Sequence, residues 1–190
     1  DTLTTRFAIM NGGSRMKVIP IGIWGGYPKA NEATSSFLIE HEGFHCLVDC
    51  GSGVLASLQN FLPLGKIDAV VISHYHADHI ADLGSLQYSR LIQFHLNNPS
   101  PLLPIYGHEQ DADNFAKLSY IDRTVGIGIL EDKPTDVGPF PVSFCLTDLH
   151  LYCLPMSSPV DTLSIVLPAH PQSRYDLICS HQGAPRLFAG

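Results

Sequence analysis

The sequence is short of positive charge, of paired cysteines and of long apolar runs. Eleven Lys and Arg stand against 18 Asp and Glu, a formal net charge of −7, so bulk attraction to a phosphate backbone is lacking and a nucleic-acid clamp is disfavoured. The five cysteines are an odd set without a Cys-x-x-Cys pair, which fits reduced thiols better than a secreted disulfide framework. No stretch approaches the roughly 18–20 apolar residues that a membrane helix needs. Residues 1–15 also lack the apolar core of a signal peptide, and a soluble, cytoplasmic protein is expected. There is no Gly-x-Ser-x-Gly elbow to support a serine hydrolase. The glycines between Gly22 and Gly26 lack the spacing and the Lys of a phosphate loop, which excludes nucleotide binding there.

What is present is apolar material: 45% of the 190 residues are hydrophobic and only 15% charged, enough for one full core and too little chain for two ordinary ones. Ten histidines nearly equal the number of Lys and Arg, a balance that points to metal chemistry. Residues 1–15 show no periodicity and are expected to be a disordered N-terminal extension ahead of Met16, read as the natural start. Residues 16–190 are expected to form a single domain.

The pattern from Met16 to Ile23 predicts a strand that runs into a Gly-rich loop holding Trp24 and Tyr27. Those two aromatics either border a substrate or pack within the loop. Ser36–His41 and Phe44–Asp49 read as a hairpin around Glu42-Gly43. A helix is predicted over Val54–Phe61, a buried strand over Asp68–Ser73 and a helix over Ile80–His95. Leu102–Tyr106 reads as a strand, Asp111–Leu118 as a helix and Pro141–Leu146 as a strand. Hairpins first and helix-separated strands later indicate a mixed α/β sandwich.

The informative run is His74-Tyr75-His76-Ala77-Asp78-His79. It leaves a buried strand at Ser73, where an irregular turn can aim several side chains at one place. His74 and His76 can turn their imidazoles the same way, while Asp78 and His79 converge on a neighbouring point. Imidazole and carboxylate are the donors that Zn²⁺ takes in open hydrolytic sites, with Mn²⁺ and Fe²⁺ also suited. Two such ions could share an attacking hydroxide. The alternative is a solvated histidine-rich loop, or histidines that cap the following helix.

At these residues the chain resembles the metallo-β-lactamase fold superfamily, whose signature is His-x-His-x-Asp-His after an apolar strand. Gly25-Gly26-Tyr27-Pro28, Ala33 to Leu38, Leu47 to Gly53 and Ile80 to Leu83 resemble its ribonuclease Z-like bacterial hydrolases in particular. The resemblance implies a four-layer αβ/βα sandwich, incomplete at its C-terminal end. It also implies two Zn²⁺ per chain, one held by His74 and His76 and the other by Asp78 and His79. Asp78 would in addition hold or deprotonate the attacking water. Asp49 would brace the histidine loop from beneath, its alternative being a turn-capping aspartate.

Three features depart from the family pattern. The Thr-x-His-Pro context of the third histidine has its counterpart at Thr147-Asp148-Leu149-His150, which puts His150 one place late. His150 is assigned as a ligand, against an ordinary exposed histidine. Asp161 in Asp161-Thr162 resembles the aspartate that bridges the two metals, against a surface-loop Asp, but the stretch from Met156 to it is too short for the family's usual hairpin. The final ligand histidine has no counterpart in a matching motif. The expected activity is a metal-dependent hydrolase that uses a metal-held hydroxide on an ester or phosphodiester-type substrate. A degenerate or truncated, non-catalytic metal-binding or interaction protein is the alternative. Expected partners are a small-molecule or phosphodiester substrate. Nucleic acid is not favoured by the charge, no membrane is expected, and the reading is compatible with a homodimer.

Overall fold

The computed structural model describes residues 7–11, 14–98, 100–129, 135–137, 143–144, 160–166, 174–180 and 186–189. Two sheets carry the chain. The first has seven strands in simple sequence order: β1 Phe7–Asn11, β2 Ser14–Gly22, β3 Ser36–His41, β4 Phe44–Val48, β5 Ala69–Val71, β6 Leu103–His108 and β7 Thr124–Ile129. The strands from β1 to β4 pair antiparallel, whereas β4–β5, β5–β6 and β6–β7 pair parallel. This change of direction follows from the connections. Two residues join β3 to β4, and both have positive φ, Glu42 at 48° and Gly43 at 81°, as a tight hairpin turn of the primed type demands. The later strands are separated by the helices α1 Val54–Leu58, α2 Ala77–Ile80, α3 Leu83–His95 and α4 Ala112–Ala116, and a parallel pair requires such a crossover.

Alternate residues of β2 to β6 and their extensions (Ile19, Leu38, Leu47, Val70, Ile72, Leu103 and Ile105) form one core with Val54, Leu55 and Leu58 of α1 and Leu83 and Leu86 of α3. The opposite face of the same strands is buried too, through Val18, Phe37, Ile39, Cys46, Val48, Ala69 and Val71. A sheet covered on both faces explains why β4 and β5 read as unbroken apolar runs rather than alternating ones. Arg90, on α3, is 2% exposed and gives its guanidinium to the carbonyls of Gly65 and Ile67, at 3.3 and 2.6 Å. It thereby ties the helix to the segment that feeds β5. The second sheet runs β8 Thr135–Asp136, β9 Ser143–Phe144, β10 Val160–Val166, β11 Arg174–Ser180 and β12 Arg186–Ala189, with spatial order β12-β11-β10-β9-β8.

The chain is thus α/β, as expected. Two differences from the sequence reading stand out. Phe7–Asn11, placed there in a disordered extension, is a strand whose partner is the start of β2, with Phe7 opposite Val18. The strand Thr124–Ile129 is not predicted at all, because Gly126 and Gly128 argue against a strand interior. In the fold these glycines admit close neighbours: a Cβ on Gly126 would lie 3.1 Å from Leu118 Cβ and one on Gly128 2.3 Å from the Glu109 carboxylate.

Candidate metal centre

In an open α/β sheet the carboxyl ends of parallel strands are where loops can converge on a ligand. Here β4 leads into Asp49 and β5 into the segment Ser73–His79, while β6 ends at His108. Asp49 continues the ladder, its N–H bonded to Val71 O at 2.8 Å. It then turns in the left-handed region, at φ 59°, a conformation that Asp tolerates better than most residues. The turn aims its carboxylate along the sheet at the start of the histidine run. Ser73 donates to it from its backbone N–H at 2.8 Å and from its hydroxyl at 2.8–2.9 Å. His79 Nδ1 lies 2.7 Å from Asp49 Oδ2, which leaves Nε2 facing outward.

The backbone around this cluster is drawn tight. Cys50 N–H donates to His79 O at 2.7 Å and Asp82 N–H to Cys50 O at 3.0 Å. Gly51 lies so close to the histidine run that a Cβ there would sit 1.7 Å from Asp78 O; only glycine fits. On the other side Gly26 N–H donates to Asp78 Oδ2 at 2.8 Å. That bond brings the Gly-rich loop after β2 to the rim of the cluster. Tyr27 in this loop is 79% exposed, while Trp24 gives its indole N–H to the Glu32 carboxylate and carries Lys29 Nζ 5.9 Å above its ring. Trp24 therefore packs within the loop and Tyr27 projects from it.

The four donors of the run fall into two pairs. His74 Nε2 lies 3.1 Å from His76 Nδ1, and His79 Nε2 lies 3.5 Å from Asp78 Oδ2. Two nitrogens held about 2.0–2.1 Å from one tetrahedral cation are about 3.3 Å apart, so the histidine pair already has the spacing of two ligands on one ion. One ring of each pair is also oriented from behind: the Ser73 hydroxyl is 3.0 Å from His74 Nδ1, and Asp49 holds His79. A carboxylate behind a ligating imidazole is how proteins fix its tautomer and raise its basicity. Among the described residues no group of three or more His, Cys, Asp or Glu side chains is arranged so that it could hold a metal ion by itself. The donor chemistry and the pairwise spacing fit divalent metal. The remainder of a closed set would have to come from elsewhere in the chain.

The electrostatics divide along the same line. Burial, reinforced by the neighbouring His79, pushes the His74 imidazole down to about 4, which keeps the ring neutral near pH 7 with one nitrogen lone pair free. Burial also works against a charge on His79, but the Asp49 and Asp78 carboxylates outweigh it and favour a positive charge there. The hydrogen bond from His79 outweighs burial at Asp78 and, with the Gly26 N–H, holds that carboxyl well below the usual carboxylate range.

Of the other residues singled out in the sequence, His150 lies outside the described residues. Asp161 is in β10, opposite Cys179 of β11, so its backbone belongs to a strand and not to a surface loop. His45 pairs with Asp68 at 3.2 Å, away from the cluster, and the His108 ring lies 4.5 Å from that of Tyr75, tilted by 45°. Ser73, Gly51 and the Gly26 N–H carry structural parts of the centre that sequence reading leaves unassigned. A signal for two of them is present: Ser73 directly precedes the run, and Gly51 belongs to the Asp-Cys-Gly turn.

Comparison with known proteins is consistent across sequence and structure. The metallo-beta-lactamase superfamily model matches residues 31–141. A probable metallo-hydrolase, YhfI of Bacillus subtilis (strain 168), is 47% identical over 141 residues, covering 74% of this chain and 58% of that protein. A ribonuclease Z of Metallosphaera sedula is 33% identical over 93 residues, covering 46% of this chain and 32% of that protein. The crystal structure of the metallo-beta-lactamase fold protein YhfI from Bacillus subtilis superposes with a TM-score of 0.66 at 36% identity, over 92% of this chain and 63% of that one. The chain thus spans less than two thirds of the length of these relatives. No helix among the described residues is long and apolar enough to cross a membrane.

Proposed function

The chain belongs to the metallo-beta-lactamase superfamily, and from that premise we propose that it is a metal-dependent hydrolase acting on an ester or phosphodiester-type substrate. The observation that carries this reading is the pairing of donors at the strand ends, His74 with His76 and Asp78 with His79, each pair backed by a hydrogen bond from behind. His74 and His76 would hold one divalent ion, Asp78 and His79 the other, with His150 and Asp161 completing the set. Zn²⁺ is the proposed metal, two per chain, and Mn²⁺ or Fe²⁺ would suit the same donors. When bound there, divalent metal supplies positive charge that acidifies water and polarises the substrate oxygen.

The chain's own groups do the rest. Asp78, kept ionised by His79 and by the Gly26 N–H, can hold the attacking water in line or take a proton from it. Asp49 and Ser73 keep the two imidazoles turned toward the centre, which removes the entropy of orienting them at the moment of reaction. Tyr27, beside Gly26, borders the mouth. The likeness to ribonuclease Z favours a phosphodiester, while the net charge of −7 counts against a long RNA. A small phosphodiester or ester is therefore the proposed substrate, in a cytoplasmic protein compatible with a homodimer.

The test is metal content by elemental analysis of the purified chain, followed by turnover of a small phosphodiester and ester panel. About two metals per chain with turnover is the expected result, and His76→Ala should remove both. Less than one metal per chain and no turnover would overturn the reading in favour of a non-catalytic member of the superfamily.

A further inference from the structure

Tyr75 separates His74 from His76 and points the opposite way. Its hydroxyl donates to His108 O at 2.8 Å, its ring lies 4.5 Å from the His108 imidazole, and it packs against the main core. The seat for it is cut into β6. A Cβ on Gly107 would come within 2.6 Å of the Tyr75 hydroxyl oxygen and 2.9 Å of Leu118 Cδ1, so that position has to lack a side chain for the tyrosine to lie where it does. The histidine pair is thus anchored ahead of its first member, at Ser73 by Asp49, and between its two members, at Tyr75 by His108. In an extended segment successive side chains alternate in direction. Fixing the middle one therefore fixes the orientation of its two neighbours.

We propose that Tyr75 is a positioning residue of the metal centre: seated over Gly107 and hydrogen-bonded to His108, it sets the angle at which His74 and His76 offer their nitrogens to a divalent cation. This rests on the metal-centre reading above. The hydroxyl acts through geometry, as the donor of a 2.8 Å bond to a backbone carbonyl of β6.

The experiment uses the 190-residue chain stripped of metal and titrated with Zn²⁺ against a chromophoric chelator, then with Co²⁺ while the visible absorption band is followed. Tyr75→Phe keeps the ring and deletes the bond. It should weaken Zn²⁺ binding about tenfold, the lower end of what removing an outer-shell partner costs, and shift the Co²⁺ band, while the metal-free protein still unfolds cooperatively. Gly107→Ala should do the same with the tyrosine intact. Its effect should be smaller in the Tyr75→Phe background, where the struck hydroxyl is gone, the coupling expected of groups in contact. Tyr88→Phe, on the outer face of α3 and 56% exposed, should change nothing. Unchanged Zn²⁺ affinity and an unchanged Co²⁺ band in Tyr75→Phe would overturn the positioning role, and this comparison decides alone if Gly107→Ala does not fold. If the unsubstituted chain takes up neither ion, it is the metal-centre reading that fails.

Discussion

His79 and His76 lie three residues apart in one run, yet the fold treats them differently. His79 is 3% exposed, hydrogen-bonded through Nδ1 to a buried carboxylate and through its carbonyl to Cys50 N–H. His76 is exposed, and its Nδ1 faces the His74 imidazole at 3.1 Å. One half of the donor set is built into the core and held before any ligand arrives. The other stands at the surface, oriented by its neighbours and open to substrate. The lesson is that stability and metal binding should be separable on one side of the centre and inseparable on the other.

The largest effect should come from the buried side. Asp49→Ala strips His79 and the Ser73 N–H of their shared acceptor, and breaking a buried charged pair of this kind costs about 3–5 kcal/mol. Chemical denaturation of the metal-free protein would show it, together with a fall in Zn²⁺ affinity. Gly51→Ala comes next. Its methyl would strike Asp78 O, and forcing the two loops apart should cost about 1–3 kcal/mol as overpacking does, with the Asp78–His79 pair disturbed in metal titrations. His76→Ala should behave in the opposite manner: stability within about 0.5 kcal/mol of the parent, as for exposed positions, but bound metal lost on elemental analysis. A large drop in stability from His76→Ala, or none from Asp49→Ala, would break the comparison. The smallest effect is chemical. Cys50, behind Asp49, and Cys46 in β4 are fully buried and their thiols are pushed up in pKa by that burial. Mass mapping after mild alkylation at pH 8 should find both unmodified in the native protein and modified once it is unfolded. Labelling of Cys50 in the native state would show that the buried side opens.

Several parts of this arrangement are legible in the amino-acid order. The hairpin over Ser36–Val48 follows from two β-rich runs and a two-residue turn, and the buried strand before Ser73 from a short β-branched run. The six-residue cluster announces its chemistry because no ordinary structural role needs three histidines and an aspartate so close together. What stays illegible has a common cause. Thr124–Ile129 does not read as a strand because its glycines serve neighbours, Leu118 and Glu109, that are not part of the strand's own pattern. Ser73 looks like the end of a strand until Asp49, 24 residues earlier, is found against its hydroxyl. Gly107 gives no sign that it makes room for Tyr75, 32 positions before it in the chain.

By itself the sequence determined most of the elements, the strands Phe7–Asn11 and Thr124–Ile129 excepted, and which side chains carry donor atoms, since both depend on residue type and on neighbours a few positions away. Only the tertiary structure decided which face each donor presents, which carboxylate stands behind which imidazole and where a missing Cβ is required. Those depend on contacts between segments brought together by the parallel strands, and one-dimensional periodicity carries no record of which strand end meets which loop.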